Sequence, residues 1–388
     1  MFTMRLPAAL PPTPTQHEFD VVISQMLGLP ATGTTVREKP TGGSEWQTVI
    51  LAEALAARGF RVGVIGPFFA YALDRGVHYL PAGEVIGRRD AEARNRPTAK
   101  IRTRVLVSER FGELPSGVEF ERLVVDLHDL PDARLGPVMN LLHEVADGRV
   151  VVHSNFTASL LDGWPSVNVI PCMLPDSFYE TRTTIAGKAP TREKPRYVYG
   201  SAAMKGLEPT LALWKQIKSA KVPHFKRATL VVTSPGYDSI DPKWLEGAKD
   251  VEVVTGLSPA GMQSLLEDSS GIFMVSTYPE TFGIVFHQCE LAGKPAHVLQ
   301  AHRQKDALGE TLSRPDLMFT DPNAFVESFD TCIEPSQDWK PNDFSVSAVL
   351  PRWLDVLGLS TGAPVAEMVS TPVAGSSPAV PKQQENAA

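Results

Sequence analysis

The sequence predicts an α/β protein built from two similar units, and three observations carry that expectation. Runs rich in Val and Ile alternate with segments of helical period, the pattern of parallel strands joined by crossover helices. The alternation fades near Asp176 into a polar stretch and resumes near Tyr197. At 388 residues the chain is longer than one ordinary hydrophobic core organises.

In the first unit the pattern predicts strands over residues 19–26, 60–65, 104–108, 123–127, 150–153 and 167–170, with helices over 44–58, 135–146 and 156–162. Residues 176–195, with Thr181, Thr183, Thr184, Gly187 and Pro190, show no apolar periodicity and are expected to be a linker. The second unit is predicted to have strands near 197–200, 229–233, 251–254, 272–276 and 296–299, and helices near 207–220, 260–267 and 284–292. The domain expectation is therefore 1–175 and 196–345, followed by a helix over 346–359 that packs back towards the first domain. The segment 360–388 is rich in Pro, Ser and Ala, cannot bury enough apolar surface to order itself, and is expected to be a disordered tail.

Composition narrows the function. Lys and Arg number 37 against 44 Asp and Glu, a formal charge of −7 that argues against a protein coated in nucleic acid. The longest uncharged apolar stretch, Val62 to Leu73, contains Pro67 and falls short of the roughly 20 residues a spanning helix needs. Prolines at 7, 11, 12 and 14 interrupt any secretory h-region, so a cytoplasmic location is expected. Cys172, Cys289 and Cys332 are odd in number and far apart, which fits neither a disulfide framework nor a closely spaced metal site; they read as reduced and structural.

Two constellations could carry chemistry. Thr41-Gly42-Gly43-Ser44-Glu45 follows the first strand and opens a helix, where backbone N–H groups and the helix dipole suit a phosphate; a glycine turn with Ser44 as N-cap is the other reading. Ser276 to Pro295 (STYPETFGIVFHQCELAGKP) places Glu280 between a strand end and a helix that starts after Gly283. A carboxylate there faces the crevice in which α/β sheets bind ligands, although it could equally be a solvated loop acid or a helix cap.

That second segment resembles the donor-site signature of glycosyltransferase family 4, a retaining group with the GT-B fold. Gly42-Gly43 with the helix ending ALAARGF, then HSNFTASLL, VIPCMLPDSFY and YGSAAMKGLEPTLALW, extend the resemblance in order, so that it spans roughly residues 40 to 300. The resemblance implies two Rossmann-like domains facing across a cleft, with a nucleotide-diphosphate-sugar co-substrate held mainly by the second domain and the acceptor by the first. It implies a donor site of Gly42, Gly43, Lys205, Gly256, Glu280, Thr281, Phe282, Gly283 and Gln288, and a catalytic group of Lys205, Glu280 and His128. Lys205 corresponds to the diphosphate lysine, Glu280 to the acid that orients the sugar, and His128 to a histidine near the reacting sugar; no side chain is assigned as nucleophile.

Two positions depart from the family pattern. Gln288 stands where a second glutamate is usual, with Glu290 two residues on and about 200° around the helix, so both cannot face one site. An amide offers one acceptor oxygen where a carboxylate offers two, which predicts altered ribose binding. The arginine that usually precedes the phosphate lysine is missing from Tyr199 to Met204. No Asp-x-Asp triplet and no close His pair occurs, so neither a metal nor another cofactor is expected, and transfer is expected to be metal-independent.

Between Gly87 and Arg110 eight basic residues face three acidic ones. The core of this stretch, ARNRPTAKIRTR, reads as an exposed loop leading into a strand, and Arg94, Arg96 and Arg102 are candidate contacts for a phosphate-bearing acceptor. DNA with a hydroxymethylated base is one acceptor of that kind; a solvated charged loop is the plainer reading. The expected function is retaining transfer of a hexosyl or pentosyl group to an acceptor hydroxyl. A catalytically silent nucleotide-sugar binder of the same fold is the alternative, and a nucleotide-sugar epimerase is a third class.

Overall fold

A computed structural model describes residues 16–85, 100–110, 114–115, 117–132, 135–164, 166–185, 194–235, 238–302, 306–330 and 339–359. Arg94, Arg96, Cys332 and the expected tail lie outside them. Among the described residues the strands form two sheets. The first contains β1 (Gln16–Ser24), β2 (Val62–Gly66), β3 (Ala72–Asp74), β4 (Val77–Pro81), β5 (Lys100–Glu109), β6 (Val118–Leu127), β7 (Gly148–Val152) and β8 (Val167–Val169), in the order β3-β4-β2-β1-β5-β6-β7-β8. Every pairing is parallel except β3 with β4. The second contains β9 (Arg196–Tyr199), β10 (Thr229–Ser234), β11 (Val251–Thr255), β12 (Gly271–Ser276), β13 (Ala296–Gln300) and β14 (Met318–Phe319), all parallel, in the order β11-β10-β9-β12-β13-β14.

The apolar runs read from the sequence are the central strands, covered on both faces. Along β1, Val21 and Ile23 enter one core while Val22 enters the opposite one, and Val105 and Val107 alternate with Leu106 in the same way. The first of these cores also takes the helices Gly43–Ala57 and Val346–Leu357, so the last described helix joins the first domain through Trp353 and Leu354. The second domain closes around Trp214, Phe225, Phe273 and Phe325. Trp214 and Phe273 meet edge to face at 5.4 Å, and each fully buried ring contributes roughly 1.5–3 kcal/mol from burial alone.

β3, β4 and β14 were not expected, and three expected segments take another form. β5 begins at Lys100 rather than Arg104, because Lys-Ile-Arg-Thr-Arg-Val alternates with period two: Lys100, Arg102 and Arg104 face solvent while Ile101, Thr103 and Val105 are buried. The last five residues of the expected basic loop, Lys100 to Arg104, are therefore strand. β6 starts earlier for the same reason, through the alternating stretch Glu119 to Arg122. The expected linker opens with a helix, Asp176–Ile185. Its few apolar residues suffice: Phe178 and Tyr179 pack on the first core, and the Tyr179 hydroxyl meets Nε2 of His287 in the second domain at 2.9 Å.

The domains touch through polar contacts as well. Thr281 Oγ1 donates to the His128 carbonyl at 2.8 Å. The Glu310 carboxylate accepts from the backbone N–H groups of Asn155 and Phe156, both at 2.7 Å, at the start of the helix Asn155–Ser159.

Candidate active site in the interdomain cleft

The carboxyl ends of both sheets face one cleft of about 530 Å³. On the second-domain wall, the chain leaving β9 makes one 3-10 turn, Ala203–Lys205, and then needs Gly206. At φ 129° this glycine lies in the left-handed region, and a Cβ there would sit 1.9 Å from the Val275 carbonyl oxygen. The close approach lets Thr277 N–H donate to the Lys205 carbonyl at 3.1 Å, which pins the turn against the end of β12. Lys205 Nζ thereby reaches both carboxylate oxygens of Glu280, at 3.0 and 2.8 Å.

Glu280 is buried on a loop held at both of its backbone groups. Its N–H donates to Asp306 Oδ2 at 3.2 Å, and its carbonyl accepts from Ala307 N–H at 3.1 Å. Gly283, at φ 89°, turns this loop into the helix Ile284–Leu291. On that helix Gln288 lines the cleft, where its Nε2 donates to the Pro259 carbonyl at 3.2 Å and its Oε1 is left to accept. Glu290 turns away and accepts from Ser313 N–H, Ser313 Oγ and Arg314 N–H at 2.9–3.2 Å. Of the two positions, Gln288 is the one at the cleft.

On the first-domain wall, Gly42 is the N-cap of the helix Gly43–Ala57, while Gly43 is exposed at its first turn. A Cβ on Gly43 would lie 3.2 Å from Ile284 Cδ1 across the cleft, so the glycine permits close approach of the domains. Ser44 donates to Glu45 Oε2 at 3.1 Å and accepts from Arg110 Nη2. Arg110 leaves β5 at φ 61°, a conformation sparsely used by residues other than glycine, and its Nε lies 3.6 Å from Glu109 and 3.5 Å from Asp129. Burial pushes the Glu109 carboxyl up to about 7, against the pull of His128 and Arg110.

Deeper on the same wall Asp126, His128, His153 and Cys172 converge from the ends of β6, β7 and β8. Asp126 Oδ2 lies 3.1 Å from His128 Nε2, Asp126 Oδ1 lies 3.2 Å from His153 Nε2, and the two imidazoles lie 4.3 Å apart, tilted by 32°. Burial works against a charged His128, but the Asp126 carboxylate outweighs it and raises the ring to about 9. Burial likewise opposes charge on His153, which Cys172 and Asp126 nevertheless hold well above the usual range. The histidines in turn hold Asp126 and the Cys172 thiol low despite burial.

The structure thus brings Gly43, His128, Lys205, Glu280, Thr281, Phe282, Gly283 and Gln288 to one cleft, with Gly42 behind them as a cap. Gly256 is exposed just outside the lining, beside Leu257. Arg102 is not brought to the cleft: it stands in strand register with Glu18 and Glu119 near the amino end of β5, about 25 Å of extended strand from Arg110. Among the described residues of the same basic stretch, Arg110 is the cation that enters, and its position at a strand end was the available signal. Cys172, expected to be structural, lines the cleft, while His153 and Glu45 stood inside quoted segments, HSNFTASLL and TGGSE, without being singled out.

No protein-family model matches the chain. A search of curated proteins finds no match either. Solved structures do match. Sucrose-phosphate synthase from Thermosynechococcus elongatus is similar at 13% identity and a TM-score of 0.59, covering 87% of this chain and 97% of that one. HepE from Anabaena, solved in complex with UDP-glucose, is similar at 13% identity and a TM-score of 0.59, over 88% of this chain and 99% of that one. A glycosyltransferase from Rickettsia africae is similar at 13% identity and a TM-score of 0.57, over 88% and 98%. The two parallel-sheet domains have the GT-B fold.

Proposed function

We propose that the protein transfers a glycosyl group from a nucleoside diphosphate sugar to an acceptor hydroxyl with retention of anomeric configuration. The observation that carries this reading is the meeting of Lys205 and Glu280, at 2.8–3.0 Å, in a cleft whose facing wall presents Arg110 and Gly43. Lys205 and Arg110 would neutralise the diphosphate from opposite sides, so the donor needs no divalent cation there. Glu280 would orient the sugar through its hydroxyls, and the N–H groups entering the helix after Gly283 would approach the donor. His128, held by Asp126, would face the acceptor.

The similarity to HepE, solved with UDP-glucose, supports a uridine nucleotide as the first donor to try. A thermal-shift panel of nucleoside diphosphates and their sugars tests the reading, because a ligand of the folded form raises stability by RT ln(1 + [L]/Kd). A selective shift that is lost in Lys205→Ala is expected. No shift with any nucleotide, or one indifferent to Lys205, would sink it, and the anomeric configuration of the product tests retention.

Gln288 favours one second reading, a catalytically silent nucleotide-sugar binder, which donor binding without turnover would establish. A phosphate-bearing acceptor, nucleic acid included, rests on Arg94 and Arg96. Acceptor affinity that falls steeply with added salt supports it, and salt-independent affinity counts against it.

A further inference from the structure

We propose that the first-domain wall of the cleft carries a binding site for a divalent metal ion of the zinc class, with His128, His153 and Cys172 as ligands, Asp126 orienting His128 and the Ile170 carbonyl orienting His153. One potential ligand atom from each of the three residues lies within 4.8 Å of the others. Metal bonds of about 2.0–2.3 Å would draw such atoms to within about 3.5 Å of one another, a side-chain adjustment rather than a backbone one. The three residues come from separate strand ends, 25 and 19 positions apart in sequence, so spacing alone does not reveal them.

The tautomer of His153 points the same way. Its Nδ1 lies 2.9 Å from the Ile170 carbonyl, which can only accept, so Nδ1 carries the hydrogen and Nε2 is the nitrogen turned into the cluster. That Nε2 and Asp126 Oδ1 stand 3.2 Å apart, both buried, and neither makes a hydrogen bond. A backbone carbonyl on one ring nitrogen of His153 and a carboxylate on His128 are the partners that fix ligating imidazoles. A cation in the cluster would serve two nitrogens and the thiolate together, whereas one added proton would serve a single pair.

The donor set also selects the ion. Imidazole and thiolate suit zinc and its neighbours, while magnesium and calcium prefer oxygen. The backbone beside Cys172 is held in place, because Met173 N–H donates to Gln47 Oε1 at 2.7 Å and Gln47 Nε2 donates back to the Met173 carbonyl at 2.8 Å. His128 and Cys172 both line the cleft, which provides a route of entry. This site is separate from the diphosphate grip of Lys205, so it stands or falls independently of the donor reading.

Cobalt(II) titration of the metal-stripped full chain tests the site. About one equivalent retained through gel filtration is expected, with a thiolate-to-cobalt charge-transfer band that zinc abolishes. Cys172→Ser should lose the band, and His153→Asn should weaken retention at least tenfold, both with far-ultraviolet circular dichroism matching the parent chain. Absence of the band from the parent chain, or its persistence in both folded variants, would overturn the site and leave the cluster as a network of protons and ion pairs. If one variant fails to fold, the parent titration and the other variant still decide.

Discussion

The two walls of the cleft carry comparable chemistry but are assembled differently. On the second-domain wall, Lys205-Gly206 and Glu280 to Gly283 are contiguous pieces, each tied to its strand end by backbone bonds such as Thr277 N–H to the Lys205 carbonyl. On the first-domain wall, Arg110, His128, His153 and Cys172 come singly from four strand ends and meet only when the sheet forms. The first kind of wall can be read as text. The second is a product of topology, and its groups are tuned by one another's charge rather than by local sequence.

Substitutions should break the walls in different ways. Glu280→Ala is expected to have the largest effect, lowering turnover about 10²–10³-fold while nucleotide affinity changes less than tenfold, because the carboxylate addresses the sugar rather than the diphosphate. Steady-state kinetics against nucleotide titration separates the two quantities. Gly206→Ala should cost about 2–4 kcal/mol in urea unfolding, since the new Cβ would meet the Val275 carbonyl oxygen at 1.9 Å from a φ of 129°.

Next comes a pH effect on the first wall. The Glu109 carboxyl titrates near 4.5 when unfolded and at about 7 in the fold, where burial and the nearby Glu45 and Asp126 raise it against His128 and Arg110. The folded state therefore holds this proton more tightly, and stability declines as pH rises from 4.5, with the cost complete above 7. Glu109→Gln should stabilise the protein by about 1–3 kcal/mol at alkaline pH and change little at acid pH, measured by denaturant titration at about pH 8 and about pH 4. The smallest expected effect is that of Arg110→Ala, which should weaken nucleoside diphosphate binding about 3–10-fold and flatten its salt dependence.

The contrast also explains what the sequence disclosed. Buried parallel strands announce themselves as unbroken Val and Ile runs, so β2, β10, β12 and β13 were legible to within a residue or two. β5 and β6 were legible only in their buried halves, because their amino ends alternate and carry arginine and glutamate on the wet face. The helix Asp176–Ile185 was hidden because two aromatic residues anchor it where a longer apolar stripe would normally be needed. Lys205, Glu280 and Gln288 stood inside motifs. Arg110 did not, and Cys172, although inside VIPCMLPDSFY, showed no sign of its place at the cleft, since nothing in either neighbourhood encodes which strands lie side by side.

The Glu310 bridge to Asn155 and Phe156 sets a toll on admission. Separating the lobes far enough for a nucleotide to pass exposes a carboxylate and two amides that now satisfy each other, and simultaneously releases Thr281 from the carbonyl of His128. Deuterium uptake at those two amides would accordingly act as a gauge of breathing, fast in the empty protein and slowed once a ligand holds the lobes shut.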